Sequence, residues 1–218
     1  MISVILLAAG KSERTNLGYN KMMYRYKDHY LIEYPLQRFL HHKEIDEVIL
    51  VCNKNDYHEL LKLHLPCKIT IGGNTRTESV KNGLDLVTNK KVIIHDGARC
   101  LISESLISRS VKNAKQYKAS LACIKLSDSL KEKVDKQVNS LNRENYLLAQ
   151  TPQCFTTSLL KEAYKKAKNY DYFDDVSLVE ALLNIKAHYF LGERLNMKVT
   201  YENDLEIIKY LIDKYYDV

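Results

Sequence analysis

Three short segments join small residues to charged ones, and each follows an apolar run that could form a strand. They are AAGKSER at residues 8–14, GGNTR at residues 72–76 and HDGAR at residues 95–99. Small residues let backbone N–H groups approach phosphate oxygens, while a nearby cation or carboxylate can bind a phosphate or a metal ion. The three segments therefore predict a site for a phosphorylated ligand.

The GKS sequence at residues 10–12 resembles the end of a P-loop. That motif needs a glycine five positions before its second glycine, and Ile5 stands there instead. The P-loop interpretation is therefore excluded. What remains is a phosphate cradle opened by small residues, with Arg14 inside it and Lys21 beyond it as a flexible point charge. An ordinary structural turn explains the small residues equally well.

The carboxylate of Asp96 follows the apolar run VIIH and so lies at a predicted strand end. Carboxylate oxygens are hard ligands that suit a phosphate-bound Mg²⁺ ion. Taken alone, Asp96 could cap a turn and Arg76 could be a surface arginine. Together with Arg99, they occupy loops that follow strands, where ligands bind in open parallel sheets, and this favours a binding site.

The composition bounds the class of protein. The chain has 218 residues, 45% hydrophobic and 28% charged, with no linker, repeat or low-complexity segment, so we expect a single domain over residues 1–218. The net charge is +6, but Lys and Arg are scattered over helix-like segments instead of clustered. This pattern argues against nucleic-acid binding and favours a small anionic substrate.

Cysteine and histidine spacing indicates neither disulfides nor zinc. The five cysteines are widely spaced without a CxxC pair, which predicts a reducing, cytoplasmic location. The apolar N-terminus has no preceding basic region and is too short to span a bilayer, so no membrane association is expected. Four histidines lack acidic or cysteine partners at metal spacing: His41, His42, His58 and His64.

Hydrophobic periodicity supplies the elements that would position these side chains. Short β-branched runs alternate with helical patterns, which predicts βαβ units and a mostly parallel sheet. Strands are predicted at Ser3–Leu7, Glu47–Val51, Lys68–Ile71, Val92–Ile94 and Ser120–Ile124. Helices are predicted at Leu31–His42, Asn55–His64, Thr77–Val87, Ser103–Tyr117, Thr156–Lys168, Asp175–Leu183 and Asn203–Tyr215, with Thr77 and Asn203 as caps.

One segment departs from this alternation. Residues 129–141, SLKEKVDKQVNSL, alternate polar and apolar residues around a turn-like Asp135-Lys136, which predicts a two-stranded ribbon. An isolated hairpin is only marginally stable in water. We therefore expect a projecting arm at about residues 129–142 that rests on a second copy of the chain.

Six motifs run in order from residue 5 to residue 205: AAGKSER with Lys21, GGNTRTESVKNGL, HDGAR, AQTPQCF, FDDVSLVE and NMKVTYENDL. Together they resemble the 2-C-methyl-D-erythritol 4-phosphate cytidylyltransferases. HDGAR and QTPQ are typical of the wider polyol-phosphate cytidylyltransferases, and DDVSLVE favours the methylerythritol branch. The resemblance implies a three-layer α/β/α Rossmann-like nucleotidyltransferase fold, CTP and methylerythritol phosphate as substrates, Mg²⁺ as cofactor, and a homodimer.

The resemblance also implies residue roles. Catalytic cations facing the triphosphate would be Arg14, Lys21 and Lys198, and Asp96 would hold Mg²⁺. Nucleotide contacts would come from Ala8, Ala9, Gly10, Ser12, Gly73, Asn74, Arg76, Ser79, Gly97 and Arg99. The acceptor would meet Ser129, Arg143 and Phe173, of which the first two belong to the arm that reaches into the partner subunit's site.

Several positions depart from the family pattern. Ser12 stands at a usual glycine, Thr15 at a usual methionine, Cys100 at a usual proline, and Phe173 at a usual substrate-contacting threonine. Ser129 replaces a usual threonine. These changes bear mainly on the acceptor, so ribitol 5-phosphate or another polyol phosphate is an alternative substrate. A nucleotide-binding module without catalysis is a more distant alternative.

Overall fold

The computed structural model describes residues 1–168 and 172–216. The strands in that part of the chain are β1 (Ile2–Ala8), β2 (Arg25–Tyr26), β3 (His29–Tyr30), β4 (Glu47–Cys52), β5 (Lys68–Ile71), β6 (Lys91–Asp96), β7 (Ala119–Lys125), β8 (Lys131–Val134), β9 (Gln137–Ser140), β10 (Leu147–Thr156) and β11 (His188–Leu191). The α-helices are α1 (Glu33–His41), α2 (Tyr57–Lys62), α3 (Arg76–Asp85), α4 (Glu104–Gln116), α5 (Thr157–Lys166), α6 (Asp175–Leu183) and α7 (Asn203–Tyr215).

Seven strands form one sheet in the order β11-β7-β10-β6-β1-β4-β5. All neighbours pair in parallel except β10, which is antiparallel to both β6 and β7. The predicted mostly parallel α/β fold is therefore confirmed. Because β1, β4 and β6 share a direction, their carboxyl ends meet at one edge of the sheet, where Leu7 is paired with Asp96 and Ala8 with Cys52.

Helices cover both faces of the sheet. Side chains of β1 alternate between the two sides: Leu6 packs in a core with Leu36 of α1 and Ile208 of α7, whereas Ile5 packs in a second core with Leu84 of α3. The second core also contains residues of α5 and α6. This strict alternation along a strand that is buried on both faces is what a three-layer α/β/α arrangement requires.

The sequence predicted every α-helix within two residues at each end, but it missed four strands. Strands β2 and β3 form a two-stranded sheet too short for a periodic signal, and β11 has only four residues. Strand β10 contains Pro152, which has no N–H to donate, and its pairing with β7 shifts register between Ala149 and Gln153. The proline and three polar residues interrupt the apolar pattern, so this buried strand was not predicted.

Both predicted caps were wrong. The N-cap of α3 is Thr75, whose hydroxyl accepts a hydrogen bond from Glu78 N at 3.0 Å while the Glu78 carboxylate accepts one from Thr75 N at 3.4 Å. This is a reciprocal capping box. Asn203 is the first residue inside α7, and Asp204 accepts the N–H bonds that precede this helix, from Thr200 and Tyr201.

The predicted ribbon is present. Strands β8 and β9 pair as an antiparallel hairpin, Asp135 adopts a left-handed conformation in the turn (φ 53°), and all eight strand residues are exposed. Elsewhere, all five cysteines are free, as predicted. None of the described helices combines the length and apolar character needed to cross a membrane.

Candidate active site

The carboxyl edge of the sheet carries the first and third predicted loops side by side. Asp96 ends β6, and the next residue, Gly97, extends the ladder because its N–H donates to Leu7 O at 2.8 Å. A Cβ atom at position 97 would lie 2.8 Å from that same oxygen and 2.6 Å from the side chain of Ile32. Only glycine therefore allows the two loops to approach this closely.

The loop after β1 is held by Ser12 and Asn20. Ser12 has a left-handed backbone (φ 60°), which explains physically why glycine would suit this position. Its hydroxyl accepts from Lys21 N at 2.9 Å and donates to Asn20 Oδ1 at 3.2 Å, while Asn20 Nδ2 donates to Ala8 O at 2.7 Å. These bonds place Lys21 next to the end of β1.

Asp96 lies at the centre of a cluster of cations. Lys198 Nζ is 2.7 Å from Asp96 Oδ2, and Arg76 Nε is 3.4 Å from Asp96 Oδ1. Arg76 makes a shorter bond, 2.8 Å, from Nη1 to Asp175 Oδ2. Arg76, Asp96 and Lys198 were predicted for one site, and in the structure both cations contact Asp96.

Charge and burial act on this cluster together. Burial disfavours the ionised carboxylate of Asp96, but Arg76 and Lys198 outweigh it and hold the pKa of that carboxyl well below its usual range. Burial likewise lowers the pKa of Lys21, and the neighbouring charges of Lys198 and Arg14 lower it further. For Arg76, burial opposes the charge, yet Asp175 and Asp96 raise its pKa.

A cleft of about 520 Å³ opens beside this cluster. Twelve of the predicted site residues line it: Ala8, Ala9, Gly10, Ser12, Arg14, Lys21, Gly73, Asn74, Arg76, Ser79, Asp96 and Lys198. Ser79 also fixes the second loop, since its hydroxyl accepts from Gly73 N at 3.1 Å and donates to Thr75 O at 2.9 Å. The three loops predicted from the sequence therefore form one concave surface.

The other five predicted residues lie outside the lining of this cleft in the described chain. Gly97 and Arg99 lie behind it, and Arg99 donates from Nη1 to Asn196 O at 2.8 Å. Arg143, at the end of the arm, donates to the carbonyl oxygen of Ser127, and Ser129 is exposed. Phe173 is 99% exposed, so its ring does not pack in the core.

Sequence reasoning missed three supports of the site. Asn20 is described above. Thr151, within the AQTPQCF motif, accepts a bond from Asp96 N at 3.1 Å and bonds His95 Nδ1 at 3.1 Å. Asp175, the first residue of a predicted helix, is the principal partner of Arg76. The adjacent Asp174 is the N-cap of α6.

Two reactive side chains near the site have structural roles. His95 is fully buried, and burial lowers its pKa to about 4, so its ring is neutral at physiological pH. Burial raises the pKa of the Cys100 thiol to about 12, so it carries no thiolate for nucleophilic attack. Among the described residues, no group of three or more His, Cys, Asp or Glu side chains is placed to hold a metal.

An open, mostly parallel sheet with three phosphate-type loops and a cation-rich cleft at its carboxyl edge defines an α/β nucleotide-binding enzyme, and the fold is that of the nucleotidyltransferases. The family model for 2-C-methyl-D-erythritol 4-phosphate cytidylyltransferase matches residues 2–214. The chain belongs to this family and is a CTP-dependent cytidylyltransferase.

Individual relatives agree with the family match. The chain is 35% identical to the 2-C-methyl-D-erythritol 4-phosphate cytidylyltransferase of Clostridium tetani, over 98% of this chain and 91% of that protein. It is also 35% identical to the corresponding enzyme of Prochlorococcus marinus, over 97% and 99% of the two chains. The crystal structure of 4-diphosphocytidyl-2C-methyl-D-erythritol synthase from Anaerococcus prevotii superimposes with a TM-score of 0.84 at 28% identity, over 98% of both chains.

Proposed function

We propose that the chain transfers CMP from CTP to the phosphate of 2-C-methyl-D-erythritol 4-phosphate and releases pyrophosphate, a step in isoprenoid-precursor biosynthesis. The observation that carries this proposal is the charge of the cleft. Its lining has five cationic side chains (Lys11, Arg14, Lys21, Arg76 and Lys198) but only two carboxylates (Glu13 and Asp96). Such an excess of positive charge suits a triphosphate and an acceptor phosphate bound together.

The proposed reaction needs no general base. An oxygen of the acceptor phosphate, already anionic at neutral pH, attacks the α-phosphorus of CTP. The new P–O bond forms as the bond between the α-phosphorus and the bridging oxygen breaks, and the electron pair leaves with pyrophosphate. Arg14, Lys21 and Lys198 would stabilise the charge that gathers on the phosphoryl oxygens.

The residues of the cleft fit a divalent cation that is shared with the nucleotide. Mg²⁺ is commonly held by one or two protein carboxylates together with substrate phosphates, and Asp96 supplies one ionised carboxylate at the rim of the cleft. Bound there, Mg²⁺ would neutralise and orient the triphosphate. Lys198, which now bonds Asp96 Oδ2, would turn toward the phosphates.

The nucleotide would lie along the three loops. We assign contacts with CTP to the lining residues Ala8, Ala9, Gly10, Ser12, Gly73, Asn74, Arg76 and Ser79. Gly97 and Arg99 lie behind the lining, so their proposed role is support. Gly97 lets the loops approach, and Arg99 ties the HDGAR loop to the backbone before Lys198 through Asn196.

The acceptor contacts are proposed to come partly from a second copy of the chain. Ser129, Arg143 and Phe173 lie outside the cleft of their own chain, while both strands of the arm are exposed. A homodimer in which the arm of one subunit completes the site of the other would bring Ser129 and Arg143 to the acceptor phosphate. It would also give the exposed Phe173 ring a place to pack.

Family membership favours methylerythritol phosphate over ribitol 5-phosphate and an enzyme over a binding module. We further propose a single domain over residues 1–218 and a cytoplasmic location, which the shared seven-stranded sheet and the five free thiols support. The test is pyrophosphate release from CTP with methylerythritol, ribitol and erythritol phosphates as acceptors and Mg²⁺ present. Fastest turnover with the methylerythritol compound is expected, and release with ribitol 5-phosphate alone would overturn the substrate assignment.

The shared site has its own test. In dimers that combine a Lys21→Ala chain with an Arg143→Ala chain, both defects fall in one site and the other site is intact. Mixing the two inactive variants should restore roughly a quarter of wild-type activity, because about half of the dimers are mixed and each has one working site. If exchange is verified by pull-down of tagged chains and the mixture stays inactive, Arg143 does not act across the interface.

A further inference from the structure

Asp175 is a buried charge directly behind the cleft. Its side chain is only 1% exposed, and each of its two oxygens accepts a hydrogen bond. Oδ2 accepts from Arg76 Nη1 at 2.8 Å, and Oδ1 accepts from the hydroxyl of Tyr164 at 2.6 Å. A buried carboxylate is costly unless it is paired in this way, so its two partners define what it can do.

Helix capping does not account for Asp175. That role belongs to the preceding residue, because Asp174 Oδ1 accepts from Ser177 N at 2.8 Å and the Ser177 side chain completes the capping box. Asp175 is the first residue inside α6, and its side chain is directed to α3 and α5 through Arg76 and Tyr164. The two adjacent aspartates therefore have different tasks.

The start of α6 is fixed to the sheet, which makes Asp175 a firm anchor. Gln153 of β10 donates from Nε2 to Asp174 Oδ2 at 2.8 Å and accepts at Oε1 from Val176 N at 3.2 Å. Tyr164, which is buried, then fixes the carboxylate of Asp175 from the side of α5. Arg76 is thus held by a group that cannot move independently of the sheet.

Arg76 lies between two carboxylates and is bonded unequally to them. Its bond to Asp175 is 2.8 Å, whereas its contact with Asp96 Oδ1 is 3.4 Å. A guanidinium group without Asp175 would be free to form a bidentate pair with Asp96, the arrangement that arginine and carboxylate favour. Such a pair would occupy both oxygens of the carboxylate that we assign to the metal.

We propose that Asp175, held by Tyr164, is a positioning residue that keeps Arg76 in the cleft wall and prevents it from closing onto Asp96. The inference rests on the site proposed above. Asp175 touches neither substrate nor metal in this scheme, and it acts only through Arg76. Its loss should therefore weaken metal binding at Asp96 as well as turnover.

The test compares Asp175→Asn with Glu180→Gln, which removes the same charge from an exposed position of the same helix and leaves Arg76 with its partner. Binding of Mn²⁺ to the enzyme–CTP complex, followed by electron paramagnetic resonance, should weaken about tenfold in Asp175→Asn, as for other residues that orient a metal ligand. The Mg²⁺ concentration for half-maximal activity should rise in parallel, and kcat should fall by about 100-fold. Glu180→Gln should stay within about twofold of wild type, since an exposed change on a helix surface has little effect.

A double-mutant cycle shows whether the effect passes through Arg76. In an Arg76→Met background, Asp175→Asn should change Mn²⁺ affinity by less than about twofold, because no guanidinium remains to be held. A full tenfold effect in that background would overturn the inference. So would normal Mn²⁺ affinity in folded Asp175→Asn.

Tyr164→Phe keeps the test decisive if Asp175→Asn fails to fold. Loss of the hydroxyl alone should weaken Mn²⁺ binding in the same direction by a smaller factor, and unchanged binding would overturn the proposal. Failure of the proposed function looks different. In that case, the wild-type chain itself would not release pyrophosphate from CTP and methylerythritol phosphate, whatever the variants do.

Discussion

Two carboxylates at opposite ends of the central strands are both held by cations, but the balance of charge around them differs. Glu47 lies where β4 begins, at the amino edge of the sheet, and Asp96 lies where β6 ends, at the carboxyl edge. At the amino edge, Glu47 accepts bonds from Lys68 (2.5 Å), from Thr88 N (3.1 Å) and from the hydroxyls of Ser3 and Thr88. One cation and three neutral donors therefore saturate one anion. The comparison shows what a structural cluster looks like when it needs no further ligand.

At the carboxyl edge, one carboxylate serves several cations. Arg76 and Lys198 contact Asp96 directly, Arg99 also lowers its pKa, and Lys21 lies in the same cleft. Burial and, after it, the neighbouring charges of Lys198 and Arg14 lower the pKa of Lys21, so holding these cations together without a bound anion is unfavourable. The excess of positive charge distinguishes a site that awaits an anionic ligand from one that is complete.

The largest effect should come from removing a cation at the carboxyl edge. We expect Lys198→Met and Lys21→Met each to lower kcat by about 1,000-fold with a much smaller change in CTP affinity, because these charges matter most in the transition state. Lys112→Met, on the exposed face of α4, is the control. Turnover in a pyrophosphate assay and CTP binding by calorimetry would separate the two effects, and near-normal turnover would remove that lysine from the mechanism.

The next largest effect on activity should come from removing the carboxylate of Asp96. Asp96→Asn removes the only buried negative charge that Lys198 contacts in the described structure, so we expect about a 100-fold loss of activity and a shift of the Mg²⁺ titration to higher concentration. The titration is repeated with Glu13→Gln, the other carboxylate of the lining, as the control. An unchanged Mg²⁺ curve in Asp96→Asn would exclude Asp96 as a ligand.

Removing the carboxylate of Glu47 at the amino edge should lower the stability of the protein and leave its activity unchanged. Its hydrogen bonds lower the pKa of Glu47 to about 2 from 4.5, against the opposing effect of burial. Because the folded pKa is lowered, this contribution is present above pH 4.5 and is lost as the pH falls toward 2. Glu47→Gln should reduce the free energy of unfolding at pH 7 by about 2 kcal/mol.

Urea denaturation at a series of pH values would check this expectation. The difference between wild type and Glu47→Gln should shrink on acidification, while kcat of the folded variant at pH 7 stays within about twofold of wild type. A stability difference that is independent of pH would mean that the shape of the side chain, and not its charge, matters at this edge.

The smallest expected effect is a gain in thermal stability when Lys21 loses its charge. Burial and the charges of Lys198 and Arg14 lower the pKa of Lys21, so the folded state loses stability by keeping it charged. That penalty is present at neutral pH and disappears as the pH rises through the folded pKa toward 10.5. Lys21→Met should therefore raise Tm by about 2 °C at pH 7 and by less at high pH. A lower Tm would show that the aliphatic stem of Lys21 contributes more than its charge costs.

The contrast between the two edges also explains what the sequence could predict. The loops after β1, β5 and β6 were recognisable because small and charged residues stand together after apolar runs. Glu47 and Asp175 were not, since each looks like an ordinary polar residue at the start of an element. Their importance depends on partners distant in sequence, Lys68 and Thr88 for one and Arg76 for the other.

Tertiary context likewise overrode local signals in β10. Its proline and polar residues argue against a central strand, yet Thr151 supports Asp96 and Gln153 anchors α6, so their polarity serves contacts that only the assembled sheet provides. By contrast, the exposed ribbon of the arm was predicted correctly because its hairpin depends on local alternation and a tight turn alone. The shorter β2–β3 hairpin was missed, because two residues in each strand are too few to show alternation.

Strand β10 contains an exposed segment and a buried segment within its ten residues. Leu147 to Ala149 are exposed next to the arm, whereas Gln150 to Phe155 are buried between β6 and β7. Backbone amides exchange with solvent deuterium through local opening where the chain is exposed, and only through wider unfolding where it is buried. In a single subunit, the amides before Gln150 should therefore exchange quickly and those from Gln153 onward slowly. Slower exchange of the first group at higher protein concentration would measure how firmly a second subunit covers it.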